Sequence, residues 1–198
     1  MPEAILARQK AAFKAAGPTS TAERLRQLTD LKKQISRYQD VFADAVSKDF
    51  GDRPAFESRL VEVVATTWVI DHARRNLSKW MRPASRWPQM LFSGPNRLHV
   101  TYQAKGVVGI IAPWNMPLYL SLGPLAAALA AGNRAMIKLP EETPNANKVI
   151  KSLISEVFDD SLVAIFGEEL TDPSTFSNLA FDHLIFTGSQ RVAKSIMA

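Results

Sequence analysis

Apolar positions along the chain change their spacing about halfway. From Leu25 onward, Leu28, Leu31, Ile35, Tyr38, Phe42 and Ala45 recur at steps of three and four. That repeat places side chains on one face of an α-helix. Ser20 with Glu23 three places on has capping-box spacing, and Gly51 supplies a stop, so one long helix is predicted between them. An Ala-rich segment over 2–16, closed by Gly17-Pro18, predicts a helix ahead of it. A third helix is expected from Pro54, a residue suited to a first turn. Its stripe is Leu60, Val63, Thr67, Ile70, Ala73, Leu77 and Trp80.

Pro83, Pro88, Gly94 and Pro95 break the pattern over 82–97 and mark the best boundary. Trp87, Met90, Leu91 and Phe92 are apolar for a linker, and they are expected to dock on the core or on a partner chain. Beyond the break the period falls to two. Residues 98–103 alternate as a half-buried strand would. Strands are then predicted at 107–112, 135–138, 162–166 and 183–186. Helices are predicted at 118–131, 144–158 and 172–179, and from Ser189 onward. The alternation predicts an α/β fold, a Rossmann-like parallel sheet with flanking helices, preceded by the long N-terminal helices.

With 198 residues, 46% of them apolar, the chain can bury a substantial core. The net charge of +5 is mild. Its densest basic group, Arg74-Arg75 with Lys79 and Arg82, falls at a predicted helix end, where basic side chains complement the dipole. No nucleic-acid partner is expected. The longest apolar run, 116–131, is interrupted by Pro117, Gly123 and Pro124. It is shorter than the roughly 18 residues that a membrane span needs, so no membrane partner is expected. Met1-Pro2-Glu3-Ala4 opens without the apolar stretch of a secretory signal, and a cytoplasmic location is the expectation. The chain has no cysteine, hence no disulfide and no thiolate metal site. His72, His99 and His183 lack ligand spacing and read as structural, so no metal is expected.

In an open parallel sheet, ligands gather at the carboxyl ends of the strands. Three predicted strands end there in suggestive residues. Pro113-Trp114-Asn115 follows the first, and Asn115 could aim an amide N–H at a developing oxyanion or merely cap the next helix. Lys138 and Glu141 follow the second, and they suit ribose hydroxyls as well as a plain surface turn. Thr187-Gly188-Ser189 follows the last. Gly188 admits close backbone approach, and Ser189 opens a helix whose free N–H groups attract an anion, although taken alone a plain helix cap is the favoured reading. No strand is followed by a Gly-x-Gly-x-x-Gly fingerprint or a Walker-type loop.

These segments resemble the aldehyde dehydrogenase superfamily. The run 106–117, containing Pro113-Trp114-Asn115-Met116-Pro117, is similar to its Pro-Trp-Asn-aromatic-Pro segment, and 125–138 is similar to the helix and strand that follow it. Phe186-Thr187-Gly188-Ser189 is similar to its cofactor-phosphate turn. The helical start and Met116 resemble the class-3-like branch, coniferyl aldehyde dehydrogenases in particular. The resemblance implies NAD(P)-dependent oxidation of an aromatic aldehyde to a carboxylic acid, in which a Cys thiolate attacks and a Glu-activated water releases the acid. It implies that Asn115 is the oxyanion donor. It places Lys138 and Glu141 at the adenosine ribose, Gly188 and Ser189 at the pyrophosphate, and Ile111, Ala112, Pro113 and Trp114 along the cofactor cleft. NAD is favoured over NADP, because the Glu141 carboxylate would repel a 2′-phosphate.

The sequence departs from the family at two places. Lys138-Leu139-Pro140-Glu141 stands where many members read Lys-Pro-Ser-Glu, and Ala193 stands where many have a glycine. The implied organisation is an N-terminal helical segment over 1–81 packing on the cofactor domain. A linker and a strand of a dimerisation sheet follow over 82–104, then a partial NAD(P)-binding domain over 105–198. The family's catalytic Cys and general-base Glu lie beyond the phosphate turn, and this sequence stops at Ala198 within a predicted helix. The expectation is therefore the N-terminal part of a longer enzyme, inactive alone and forming homodimers or larger assemblies. The alternatives are a non-catalytic dinucleotide-binding module and a semialdehyde or acyl-CoA-forming relative.

Overall fold

Ser20 begins the longest helix as its spacing predicts, accepting the Glu23 N–H on its hydroxyl at 3.2 Å. Gly51, in the left-handed region at φ 66°, ends it. The structure is a computed structural model and describes residues 2–87, 94, 96–170 and 172–197. The helical part comprises α1 (Pro2–Ala16), α2 (Thr21–Phe50), α3 (Ala55–Ser58), a π-helical turn (Arg59–Val64) and α4 (Ala65–Trp80). A short hairpin follows, β1 (Ala84–Arg86) paired antiparallel with β2 (Leu98–Val100). The remainder is β3 (Val107–Ile111), α5 (Pro117–Ala130), β4 (Arg134–Lys138), α6 (Pro144–Ser155), β5 (Val163–Phe166), α7 (Ser174–Ser177), β6 (His183–Phe186) and α8 (Gln190–Met197).

β3 to β6 form one parallel sheet in the order β5-β4-β3-β6. Alternate strand residues serve opposite faces. Val108, Ile110, Ala135, Ile137 and Val163 join one core with Leu28, Leu31 and Ile35 of α2, Leu122 and Leu129 of α5, and Ile150 and Leu153 of α6. Val107, Met136, Ala164 and Phe166 meet Leu6 of α1 and Phe176 of α7 on the other. α1 is anchored by a polar contact as well. Gln9, buried, donates to the Ala135 and Asp160 carbonyls at 3.1 and 2.9 Å.

Three expectations need correction. The stripe assigned to the third helix is out of phase at its start. The π-turn inserts one extra residue into the helical repeat, so Leu60 is exposed, Thr66 rather than Thr67 is buried, and Glu62 enters the core. The strand read as half-buried over 98–103 covers only 98–100 and is exposed throughout, because it pairs with β1 alone and neither face meets the core. β1 itself arises inside the segment read as a break. Trp87 is 97% exposed and docks on nothing among the described residues. Met90, Leu91 and Phe92 lie outside the described residues.

Two crossover helices receive their N-terminal caps from the helical part. Met116 at the start of α5 caps nothing with its side chain. Glu62, fully buried in the π-turn, accepts the Leu118 N–H at 2.8 Å instead. Asp49 near the end of α2 accepts the Asn145 and Ala146 N–H groups of α6 at 3.1 and 2.8 Å. Burial pushes the Glu62 carboxyl up to about 7, against the opposing pull of the Leu118 N–H and the Arg53 charge.

Gly132 closes the turn from α5 to β4 at φ 83°, and a Cβ there would lie 2.5 Å from the Arg24 guanidinium. That guanidinium is fixed by the Thr19 and Ala130 carbonyls, each at 3.1 Å. We expect Gly132→Ala to cost roughly 1–2 kcal/mol, read from the urea midpoint.

The Glu62 value gives a pH dependence whose sign is fixed. Its carboxyl holds a proton more tightly folded, at about 7, than at the ordinary 4.5. Its contribution to stability is complete below 4.5 and is lost as pH rises through 7, on the order of 3 kcal/mol over that window. Urea unfolding from about pH 5 to about pH 8 should show the wild type losing stability relative to Glu62→Gln. Parallel curves for the two proteins would remove this titration from the account.

Candidate functional site

The order of the strands creates the site. The chain builds outward from β3 to β4 to β5, then returns to lay β6 on the other side of β3. The helices leading from β3 and from β6 therefore start on either side of this reversal, and a crevice opens at the carboxyl ends of these strands. The register sets Ile111 beside both Lys138 and Phe186.

A cleft of about 580 Å³ opens at this rim. All eight residues predicted for cofactor contact line it: Ile111, Ala112, Pro113, Trp114, Lys138, Glu141, Gly188 and Ser189. The sequence reading missed Ser174 and Ser177 of α7 and Arg191, Val192 and Ser195 of α8, which form further wall. Arg191 and Ser195 stand four apart on one helical face, a signal that was available. α7 carries no comparable sign in its four residues.

Lys138 is buried at the end of β4, and its ammonium donates to the Glu141 carboxylate at 2.6 Å. Glu141 itself is 45% exposed toward the cleft. The pair thus presents a fixed donor and an accessible acceptor side by side. A Cβ on Gly188 would press into the Phe186 ring, so only glycine lets the chain fold back tightly here. At the start of α8, the Ser189 hydroxyl accepts the Val192 N–H at 3.4 Å, a long contact that caps the first turn weakly. Trp114 is half exposed, with its ring 5.9 Å from that of Phe50 at the end of α2.

Asn115 follows Trp114 but does not line the cleft. It is exposed, and its side-chain amide makes no hydrogen bond among the described residues. It does not cap α5, because Glu62 does. Its backbone carbonyl accepts from Arg53 Nη1 at 3.3 Å, and the same guanidinium nitrogen donates to Glu62 at 3.2 Å. The sequence reading missed both Arg53 and Glu62. The stripe read there ran through Val63 and Thr67, and the π-turn that brings Glu62 and Thr66 into the core leaves no local mark in the sequence.

The histidines lie apart: His72 lies against Trp80, His99 near Ser85 and His183 near Lys105. Among the described residues no cluster of His, Asp or Glu could hold a metal. Among the described residues no helix is long and apolar enough to cross a membrane.

Comparison with known proteins identifies the family and the fold. A probable coniferyl aldehyde dehydrogenase of Pseudomonas aeruginosa is 41% identical over 195 residues, covering 98% of this chain and 41% of the relative. A coniferyl aldehyde dehydrogenase of a Pseudomonas species is 38% identical, covering 97% of this chain and 39% of its own length. The chain therefore spans about two-fifths of these curated relatives. The substrate-bound Staphylococcus aureus AldH structure superposes with a TM-score of 0.93 at 34% identity, over 100% of this chain and 43% of that one. Residues 2–198 match the aldehyde dehydrogenase family, and the chain belongs to it.

Proposed function

We propose that this chain supplies the nucleotide-binding rim and the oxyanion donor of an NAD(P)-dependent dehydrogenase that oxidises an aromatic aldehyde to its acid. The observation that carries the reading is the convergence of three separate strand ends on one cleft at the switch point of the sheet. The aromatic preference rests on the coniferyl aldehyde relatives at 38–41% identity. A solved relative, PnpE of Pseudomonas, has been captured with nicotinamide adenine dinucleotide, at a TM-score of 0.81 and 28% identity.

The residues suit such a nucleotide. Lys138 and Glu141 offer a donor and an acceptor to vicinal hydroxyls. The open first turn of α8, with Ser189 and Gly188, offers N–H groups to a diphosphate. Ala112, Pro113 and Val192 give apolar walls for flat rings. When bound, the nucleotide supplies the hydride acceptor. Asn115 would direct its amide N–H at the carbonyl oxygen as negative charge develops there, a donor typically worth about 3 kcal/mol. The sequence has no cysteine, so the thiol nucleophile must come from outside these 198 residues. That same lack favours the second reading, a dinucleotide-binding module without chemistry of its own.

Titrating NAD into the ¹⁵N-labelled chain should shift resonances at Ile111, Lys138, Glu141 and Ser189, with weak affinity. Shifts confined to other surfaces, or none at saturating nucleotide, would refute the site. NADP should bind more weakly than NAD, and Glu141→Ala should narrow that difference. Mixing the purified chain with NAD and coniferyl aldehyde should give no increase in NADH absorbance. Steady turnover would show that the missing thiol is not required.

A further inference from the structure

Asn115 is exposed and its side chain makes no hydrogen bond among the described residues, yet the backbone from its own carbonyl to the Leu118 N–H is held. Arg53 Nη1 donates to the Asn115 carbonyl at 3.3 Å and to one oxygen of Glu62 at 3.2 Å. The other Glu62 oxygen accepts the Leu118 N–H at 2.8 Å. One guanidinium and one buried carboxylate thus grip the turn before and after Met116-Pro117. We propose that Glu62 and Arg53 are positioning residues for Asn115, setting from the π-turn the direction in which its side-chain amide points. The functional meaning of this rests on the oxyanion-donor reading of Asn115.

The corner that delivers Arg53 is shaped for the purpose. Gly51 and Asp52 are both left-handed, at φ 66° and 72°, and reverse the chain directly after α2. Such a conformation is uncommon outside glycine, asparagine and aspartate, and the Asp52 N–H is tied back to the Ser47 carbonyl at 3.0 Å. The Arg53 side chain is 10% exposed. Its Nε donates to Glu57 at 3.2 Å, and its guanidinium lies 5.2 Å from the centre of the Phe50 ring. Phe50 in turn meets Trp114. Trp114 and Asn115 therefore lean on one corner of the helical part. A planar guanidinium can serve two acceptors along different directions, whereas a lysine ammonium on a flexible stem holds no such fixed fork.

Charge at this corner depends on a proton. Glu62 faces Arg53 from the turn after α2 and, across that guanidinium, Glu57 of α3. α5 turns the N–H groups of Leu118 and Tyr119 toward it. Arg59 of the same π-turn is engaged by Asp40 of α2 at 2.9 Å. Burial lifts the Glu62 carboxyl into the neutral range, so the strength of the grip changes with pH there.

The test reads Asn115 directly by NMR of the labelled chain, with Asn115→Ala assigning the side-chain amide. Arg53→Met and Glu62→Gln should each shift or split that amide signal by more than a linewidth. Arg53→Lys should restore it only in part. Ile137 in β4 should stay in place, showing that the sheet is intact. An unmoved Asn115 signal in folded Arg53→Met and Glu62→Gln would overturn the proposal. Should a variant unfold, the wild type decides. Leu118 and Asn115 signals shifting with one midpoint near neutral pH support the coupling, and Leu118 shifting alone defeats it. In a catalytically active protein that contains these 198 residues, Glu62→Gln should lower kcat about tenfold with KM little changed. Asn115→Ala leaving kcat unchanged there would refute the donor reading while the measured coupling stood.

Discussion

A parallel sheet aims the first turn of every crossover helix at the same rim, and each of those turns carries N–H groups with no partner inside the helix. Of the helices that follow these strands, α7 is a single turn, and the longer ones are α5, α6 and α8. Glu62 closes the first and Asp49 the second, both from the N-terminal helices. Among the described residues α8 has Ser189, its own neighbour, at 3.4 Å. Two of these three helix ends are thus capped by acidic side chains of the N-terminal helices, and the third faces the cleft. The most weakly capped of these helix ends is therefore the one at the cleft.

This arrangement gives the helical part a role beyond covering a sheet. α2 buries Leu28, Leu31 and Ile35 against the residues of α5 and α6, a contact in which each fully buried aliphatic side chain contributes roughly 1.5–3 kcal/mol. The same helix carries Asp49 to α6 and, one turn later, leads Arg53 to the Asn115 loop. Packing and electrostatics run through one rigid rod, so a slip of α2 along α6 would lose apolar contact and uncap a helix together.

Much of the fold was legible because its signals are local. The Leu28-to-Ala45 stripe, the Ser20 cap and the strand–helix alternation each lie within a few residues of one another, and the structure reproduces them. The cleft was legible for a related reason: its residues sit at strand ends, and a parallel sheet brings all such ends to one side. The π-turn was hidden, since an extra residue in a helix leaves no composition mark, and it displaced the predicted stripe at Leu60 and Thr67. β2 was over-read because alternating residues look the same whether or not a core lies beneath them. The caps of α5 and α6 were invisible because each joins residues more than fifty positions apart.

The energetic cost of Glu62 argues that its place is positional. A buried carboxylate must overcome a desolvation penalty of several kcal/mol, and apolar replacements of buried ion pairs are often neutral or stabilising. Val63 and Ile70 of the same helical run are buried aliphatic residues of the core. An aliphatic residue could not accept the Leu118 N–H or hold the Arg53 guanidinium against the Asn115 carbonyl. What the carboxylate adds, and packing alone cannot, is direction. It converts a loop between Pro113 and Pro117 into one whose exposed amide is oriented from the interior of the helical part.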